Sequence, residues 1–403
     1  MILSYEQALL TVKERVGAAP RQLTVETAPL EQALGRVLAE DVTADRDYPP
    51  FHRSARDGYA IRSQDLGSVP VTLECAGEIA AGSQFHGTIG TGQCAAIMTG
   101  APLPEGADAV VMIEQTAAQG SRVEIRQAVQ SFENVVHKGT EATAGSLVLP
   151  RRSRLGASEL GLLAANGVTK APVFRKPRVA ILPTGNELVP AAASPQSFQI
   201  RDSNATALAA QVTATGAEPW QIGIAPDREE DLQALIRTGL EADLLLISGG
   251  VSVGKYDLVE SVLEQLGAEF YFRGAAIRPG KPVVFGRVQD RFFFGLPGNP
   301  LSAFVTFELF VRPALAALAG APFEEPLFLR ARLIKARAGK EGLTVFSPAR
   351  VRTLDREPVV DWVLSHGSGD LVSLAAANCF IVQHPGQPTP GAGEWVDILL
   401  KSS

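Results

Sequence analysis

The sequence is poor in cysteine, histidine and positive charge, and each shortage excludes a class of protein. Its three cysteines lie far apart without a C-x-x-C spacing, which argues against a disulfide framework and a cysteine zinc site. The five histidines form no pair at i and i+4, which argues against a catalytic histidine zinc site. A net charge of −6 without a basic stripe disfavours nucleic-acid binding.

Long apolar runs are also scarce, since none approaches the roughly 18 residues needed to cross a bilayer, so the sequence predicts a soluble protein without a membrane segment. The N-terminal stretch MILSYEQALLTVKERV carries acids among its apolar residues and predicts an amphipathic helix. Ser4 and Gln7 have the spacing of a capping box there. A signal peptide is therefore not expected, and we predict a cytoplasmic location.

What is present is a change of pattern along a chain of 403 residues, a length that suggests about two to four domains. After Lys176-Pro177, apolar strands alternate with helices, which predicts a parallel sheet covered on both faces with ligands at the carboxyl ends of its strands. Short strands between turn residues predict a β-rich module before this sheet, and a second β module after it. The predicted boundaries are 21–46 and 147–175 for a linking domain, 47–146 for an inserted β-rich domain, 1–20 and 176–325 for the α/β domain, and 326–403 for a C-terminal β domain.

The stretch from Leu244 to Ser302 carries three glycine-marked loops, in ISGGVSVGKYD, IRPGKPVVFG and GLPGNPLSAF. Backbone N–H groups at such loops, together with the positive end of a following helix, favour anions. The cations Arg278 and Lys281 would add positive charge beside them. These loops predict a phosphate or oxyanion site.

The loop GGVSVGKY also approaches two other patterns. From Gly249 to Lys255 it fits G-x-x-x-x-G-K, but Tyr256 stands where a P-loop needs Ser or Thr to ligate magnesium. Around Ser252 it fits the G-x-S-x-G elbow of α/β-hydrolases, with His366 or His384 as a conceivable base. A hydrolase therefore remains an alternative, and so does a glycine loop that only turns the chain.

Acidic residues follow several predicted strands. Asp227 and Asp257 each precede a glutamate by three residues at the start of a helical run, which predicts N-caps but does not exclude a metal or phosphate role. Glu187 follows the first strand of the sheet, where packing gives no reason for a carboxylate. In the β-rich module, Asp57 precedes Gly58 and Thr99 ends a strand, and either could be turn chemistry.

Seven motifs in order resemble the molybdopterin molybdenumtransferase family, of the MoeA and gephyrin E-domain type. They are RSARDGYA, GEIAAG, IMTGAPLPEGADAVVM, PTGNEL, ISGGVSVGKYD, IRPGKP and GLPGNPLSAF. The resemblance implies an α/β multidomain protein with a central three-layer domain like the molybdopterin adenylyltransferases, an inserted β-rich domain, a small linking domain and a C-terminal β-barrel-like domain. It further implies a homodimer that inserts molybdate into adenylylated molybdopterin with magnesium, releasing AMP and forming molybdenum cofactor.

The resemblance also assigns roles to residues of this sequence. Catalytic roles are implied for Asp57, Thr99, Glu187, Asp227, Asp257, Arg278 and Lys281, with Asp227 and Asp257 at the metal. Substrate or cofactor binding is implied for Gly249, Gly250, Ser252, Pro297, Ser302, Arg350 and Ser368. A molybdopterin adenylyltransferase and acceptor molybdoenzymes are the implied protein partners, and tungsten remains an alternative to molybdenum.

Two segments depart from the family pattern. The chain reads FHRSARDG where many members have an acidic segment, which retains Asp57 and adds Arg53 and Arg56. A glycine and two acids become Gly139, Thr140 and Glu141. A non-catalytic scaffold on the same fold therefore remains a second hypothesis beside the transferase.

Overall fold

The computed structural model describes residues 2–19, 23–250, 258–336, 342–388 and 390–401. Two compact units divide the chain. The first unit comprises Met1–Ala39, Arg152–Gly156 and Pro172–Ser403, and the second comprises Glu40–Arg151 and Ala157–Ala171. The second unit is thus inserted, along the sequence, into the first. The finer division into four domains stays a prediction.

The helices are α1 (Tyr5–Ala18), α2 (Ala157–Ala165), α3 (Asn204–Ala214), α4 (Glu229–Gly239), α5 (Leu258–Gln265), α6 (Pro300–Thr306), α7 (Arg312–Leu318) and α8 (Leu371–Ala376). The first-half strands are β1 (Val25–Pro29), β2 (Val42–Thr43), β3 (Arg53–Ser54), β4 (Gly58–Ile61), β5 (Val71–Ile79), β6 (Gln93–Ile97), β7 (Ala109–Met112), β8 (Thr116–Gln119), β9 (Arg122–Ile125), β10 (Val135–Val136), β11 (Leu147–Leu149), β12 (Lys170–Phe174) and β13 (Arg178–Pro183). The second-half strands are β14 (Leu188–Val189), β15 (Ile200–Arg201), β16 (Glu218–Gln221), β17 (Leu244–Ser248), β18 (Glu269–Arg273), β19 (Ile277–Arg278), β20 (Val284–Val288), β21 (Arg291–Leu296), β22 (Phe328–Leu333), β23 (Thr344–Leu354), β24 (Glu357–Trp362), β25 (Cys379–Gln383) and β26 (Trp395–Leu400).

Helix α1 has the predicted capping box. The Ser4 hydroxyl accepts from the Gln7 backbone N–H at 3.2 Å, and the Gln7 side chain accepts from the Ser4 N–H at 3.1 Å. These bonds satisfy donors that the first turn of a helix leaves open. The sequence-based prediction of this helix is confirmed.

A six-stranded sheet in the order β16-β13-β17-β21-β20-β18 forms the centre of the first unit. Strands β16, β13, β17 and β21 are parallel, as the alternating pattern predicts. Strands β20 and β18 are antiparallel additions, and β20 forms a hairpin with β21. Because β20 runs opposite to β21, the residues before β20 lie at the same edge as the residues after β21.

Helices cover both faces of this sheet. Alternate strand residues Val179 and Ile181 pack on one face with α1, α3, α6 and α7. Their neighbours Ala180 and Leu182 pack on the other face with α4 and α5. The period-two burial is what a buried strand requires, and it gives the predicted three-layer α/β arrangement.

The long apolar helix predicted after Asn299 is interrupted. A π-helical turn at Phe307–Val311 joins α6 to α7, and Pro313 follows it. Proline lacks an N–H and crowds the carbonyl four residues earlier, so a widened turn accommodates it. By length and composition alone, Pro300–Leu318 could cross a membrane, which corrects the expectation that no such run exists. However, 83% of this segment is buried inside the protein, as in a core helix.

A closed β-barrel follows the sheet. Strands β23, β24, β22, β26 and β25 are neighbours in that order, and β25 pairs back with β23. Apolar residues from these strands fill its interior. This five-stranded closure confirms the C-terminal β-barrel-like domain.

The second unit contains a sheet in the order β7-β4-β6-β5-β9-β8. Gly58 is required in it, because a Cβ there would lie 1.9 Å from the Val111 carbonyl oxygen of the paired strand. This close strand contact holds Asp57 at the start of β4.

Candidate active site

A cavity of about 900 Å³ opens at the carboxyl edge of the central sheet. Strands β13, β17 and β21 end there in register, with Pro183 opposite Ser248 and Ser248 opposite Leu296. The loops that follow these three strands supply much of the wall. The lining residues include Thr184, Gly185, Glu187, Asp202, Asn204, Asp227, Ser248, Gly249, Gly250, Pro282, Pro297, Gly298, Asn299 and Gly369.

The cavity lies where the sheet changes its direction of growth. Strand β13 pairs with β16 on one side and with β17 on the other, and the connecting helices α3 and α4 pack on opposite faces. Ligands of open α/β sheets bind at such a switch point, outside the carboxyl ends of the strands. The topology therefore selects this cavity as the ligand site.

Two glycines shape the floor of the cavity. Gly249 and Gly250 have φ of +94° and +65°. A Cβ on Gly249 would lie 2.6 Å from the Thr184 carbonyl oxygen, and one on Gly250 would lie 2.5 Å from Val259 Cγ2. Both positions therefore require glycine. The next predicted site residues, Ser252 and Asp257, lie outside the described residues.

Asn204 fastens two of the cavity loops together. It is 9% exposed, and its side-chain amide donates to Ser248 Oγ and to the Gly298 carbonyl, each at 2.8 Å. These bonds connect the end of β17 with the loop after β21. The sequence predicts Asn204 only as the start of a helix. Its burial and its two bonds to the cavity loops become visible only in the structure.

The loop after β21 is also held from the barrel side. Asn299 Nδ2 donates to Ser368 Oγ at 2.9 Å, and the Leu301 N–H donates to the Ser368 carbonyl at 3.0 Å. Ser368 thus satisfies a donor in the first turn of α6. Two predicted residues belong to this region. Pro297 lines the cavity, and Ser368 holds the loop after β21 in place.

Two predicted acids line the cavity as exposed side chains, Glu187 and Asp227. Asp227 makes a reciprocal pair with Asn186: its carboxylate accepts from the Asn186 N–H at 3.2 Å, and its own N–H donates to Asn186 Oδ1 at 3.1 Å. The N-cap of α4 is Arg228, so the predicted capping role of Asp227 is wrong. Pairing with Asn186 holds this carboxylate toward the cavity instead.

The predicted cations lie beside the cavity but are not among its lining residues. Arg278 and Lys281 are exposed, and the turn between them packs closely, since a Cβ on Gly280 would lie 2.5 Å from Thr306 Cγ2. Pro282, the next residue, does line the cavity. The IRPGKP turn therefore borders the site, and its cations extend into solvent.

Two further predicted residues lie away from the cavity wall. Ser302 is 4% exposed within α6, and its carbonyl accepts from the Thr306 hydroxyl at 2.8 Å. Arg350 is exposed on β23 of the barrel, opposite Asp361. Neither contributes to the wall of this cavity.

In the second unit the structure brings Asp57 and Thr99 together. The Asp57 carboxylate accepts from the Thr99 backbone N–H at 2.6 Å and from its hydroxyl at 2.9 Å. These two bonds, the backbone one first, hold the pKa of Asp57 below its ordinary value. Two residues chosen separately from the sequence therefore form one exposed polar unit.

The two segments that depart from the family pattern also contact each other. Arg53 forms an ion pair with Glu141 at 3.1 Å, and the rings of His52 and His137 lie 5.5 Å apart. Lys138 donates its N–H to His52 Nδ1 at 3.2 Å. The altered residues therefore compensate one another in charge and packing.

The hydrolase alternative gains little support from its candidate bases. His384 contacts Asp397 at 3.1 Å within the barrel, and His366 is exposed in the loop before α8. Across the described ranges no group of three histidine, cysteine or acidic side chains forms a metal site. Any metal bound at the cavity would need ligands from the substrate or from undescribed residues.

Comparison with known proteins finds similarity along nearly the whole chain. Family models match for the MoeA N-terminal region (domain I and II) over residues 3–167, a probable molybdopterin binding domain over 180–317, and the MoeA C-terminal region (domain IV) over 330–401. The chain is 38% identical over 396 residues to a molybdopterin molybdenumtransferase of Nostoc sp., covering 94% of this chain and 89% of that relative. It is 35% identical over 395 residues to one of Bacillus subtilis, covering 96% and 92%. The crystal structure of a molybdopterin biosynthesis moeA protein from Pyrococcus horikoshii OT3 superposes with a TM-score of 0.84 at 30% identity, covering 99% of this chain and 100% of that one.

Proposed function

Because the chain belongs to the molybdopterin molybdenumtransferase family, we propose that its switch-point cavity is where molybdate is inserted into adenylylated molybdopterin, with release of AMP. The single observation that carries this assignment is the cavity itself. It has a glycine loop and three carboxylates, those of Glu187, Asp202 and Asp227, at the carboxyl edge of a parallel sheet. This is where α/β folds bind phosphorylated ligands.

The residues around the cavity divide the work between holding anions and balancing charge. Gly250 supplies a backbone donor for a phosphoryl oxygen, because the Gly249 N–H already donates to the Leu296 carbonyl. The exposed Arg278 and Lys281 attract molybdate toward the rim and hold it beside the dithiolene sulfurs. Fixed donors around an expelled AMP lower the barrier, because they are already oriented when its charge develops.

Magnesium fits this donor set as an ion shared with the substrate. Asp227, Glu187 and Asp202 line the same cavity, and magnesium in phosphate sites usually takes one or two carboxylates together with phosphate oxygens. We propose that Asp227 holds the ion, with Asp257 as its partner. A bound magnesium ion would neutralise charge on the leaving phosphate.

The remaining assignments follow from family membership and are proposals of the same kind. We propose that the protein acts as a cytoplasmic homodimer in which Asp57 and Thr99 reach the cleft of the partner subunit. Ser252 and Ser368 are proposed to hold the oxyanion or the pterin, whereas Ser302 is buried and Arg350 lies outside the wall of this cavity, so neither is assigned to it. A molybdopterin adenylyltransferase would supply the substrate, and molybdoenzymes would take the product.

The test is a single-turnover incubation with adenylylated molybdopterin, magnesium and molybdate. AMP release is followed directly, and cofactor formation is followed by reconstitution of an apo-molybdoenzyme. We expect release that depends on molybdate and falls at least about 100-fold in Asp227→Asn, because removing a transition-state electrostatic contact typically costs that much. The matched control is Asp290→Asn, in the exposed β20–β21 turn at the opposite edge of the sheet, which should behave as wild type.

Binding of the substrate without AMP release would refute the transferase and leave a carrier or scaffold that uses the same cleft. Equal loss in Asp227→Asn and Asp290→Asn would show that the cavity carboxylate has no special role. Magnesium dependence is read from the same assay, since a chelator should abolish release only if the ion takes part.

A further inference from the structure

One hydroxyl at the centre of the cavity lacks a hydrogen-bond partner in the described part of the chain. Thr184 is 5% exposed, and its Oγ1 is buried without any donor or acceptor. The rest of the residue is firmly placed, because its N–H donates to the Ser248 carbonyl at 2.9 Å. The unpaired atom therefore belongs to a rigid strand end, and loose packing does not explain it.

The glycine loop packs directly beside this hydroxyl. A Cβ on Gly250 would lie 2.9 Å from Thr184 Oγ1, and a Cβ on Gly249 would lie 3.2 Å from it. Because both residues are glycine, no side chain from these two positions lies against the hydroxyl. Thr184 also lines the cavity.

Buried hydroxyls in folded proteins nearly always have hydrogen-bond partners, so an unpaired hydroxyl at a ligand site calls for an explanation. A threonine hydroxyl donates well to a charged acceptor, and such bonds are roughly twice as strong as neutral ones. Gly250, which lines the same cavity, adds a backbone N–H that suits an anion. An incoming oxyanion would therefore give Thr184 its missing acceptor.

We propose that the Thr184 hydroxyl donates a hydrogen bond to a tetrahedral oxyanion of the substrate, either the phosphoryl group of the adenylate or molybdate. This inference rests on the proposed function and adds Thr184 to the residues that contact substrate. The bond forms only in the bound state, so the hydroxyl contributes to binding and not to the stability of the free protein.

The test compares Thr184→Val, which has nearly the same shape but no hydroxyl, with Thr184→Ser, which retains the donor. Thermal unfolding is measured without ligand, and calorimetry measures binding of AMP, adenosine and molybdate. We expect Thr184→Val to unfold at the same or a higher temperature than wild type, because it removes an unpaired polar group. Its affinity for the oxyanion should fall about 10- to 100-fold, while Thr184→Ser stays within about threefold of wild type.

The three ligands separate the sources of the oxyanion. Weaker AMP binding with unchanged adenosine binding assigns the bond to the phosphoryl group, and weaker molybdate binding alone assigns it to molybdate. A lower unfolding temperature with wild-type affinities would overturn the proposal and give the hydroxyl a structural role. Wild-type protein that binds neither AMP nor molybdate would instead overturn the proposed function, and this inference with it.

Discussion

Replacing Arg312 with methionine should destabilise the first unit far more than loss of a surface ion pair does. Arg312 donates two hydrogen bonds to the carboxylate of the buried Glu308, from its Nε to Oε2 at 2.7 Å and from its Nη2 to Oε1 at 3.1 Å. Gln211 of α3 adds a bond to the same carboxylate at 2.6 Å. Glu308 is only 3% exposed, so this network ties α3 to the π-helical turn inside the core.

The expected cost follows from that burial. Removing one partner of a buried pair costs about 3–5 kcal/mol, and the 27% exposure of the Arg312 side chain favours the lower end, about 3 kcal/mol. The matched control is Lys13→Met, which breaks an exposed pair with Glu325, with side chains 46% and 58% exposed. Such a pair is worth under about 1 kcal/mol.

Denaturant unfolding followed by tryptophan fluorescence is a suitable assay, because Trp220, Trp362 and Trp395 all belong to the first unit. The double variant Glu308→Leu with Arg312→Met should recover part of the loss, since apolar replacement of a buried pair is often neutral but Gln211 loses its bond to the carboxylate. An Arg312→Met cost no larger than that of Lys13→Met would refute the reasoning. So would a double variant as unstable as the sum of its two singles.

Two further predictions concern ionisation. Thr99→Val removes one of two bonds that lower the pKa of Asp57, so that pKa should rise toward its ordinary value in a carbon-13 NMR titration; an unchanged titration would contradict the pairing. Because the folded pKa is lowered, the stabilisation from Asp57 is present above the ordinary pKa near about 3.9 and is lost as pH falls through the folded value. Burial raises the pKa of Cys94 to about 12 and that of Cys379 to about 11. An aromatic disulfide reagent at pH 8 should therefore react rapidly with one thiol of the folded protein, the half-buried Cys75. In denaturant it should react rapidly with all three. Because the folded pKa values are raised, the stabilisation is complete below the ordinary thiol pKa near about 8.5 and is lost as pH rises from there through the folded values. Three fast thiols in the folded protein would contradict the burial of Cys94 and Cys379.

Helices and the parallel strands could be predicted because their signals are local. The capping box at Ser4 and Gln7 predicted the N-terminal helix, which the structure has at Tyr5–Ala18. The hairpin of β20 and β21 could not be predicted, since the residue pattern of a strand carries no information about its direction. Its turn offered no warning either, because Gln289 adopts φ of +52° where glycine or asparagine would be the usual signal.

The candidate site divides in the same way. Glycines after a strand indicated a special loop at Gly249 and Gly250, because the positive φ that both residues adopt favours glycine. The partners of Asp227 and Asn204 could not be predicted, since each depends on a residue 41 or 94 positions away. The contribution of Thr184 was hidden for another reason: an unpaired atom becomes visible only when its surroundings are known.

The position of α1 in the first unit determines when that unit can fold during synthesis. Tyr5 packs against Phe310, Phe328 and Phe346, with ring centroids 6.0 to 6.2 Å apart. The apolar face of α1 therefore has to wait for partners that come about 300 residues later in the sequence. The inserted second unit ends at Ala171 and can complete its own sheet well before then. The inserted second unit should thus fold before α1 can pack into the first unit.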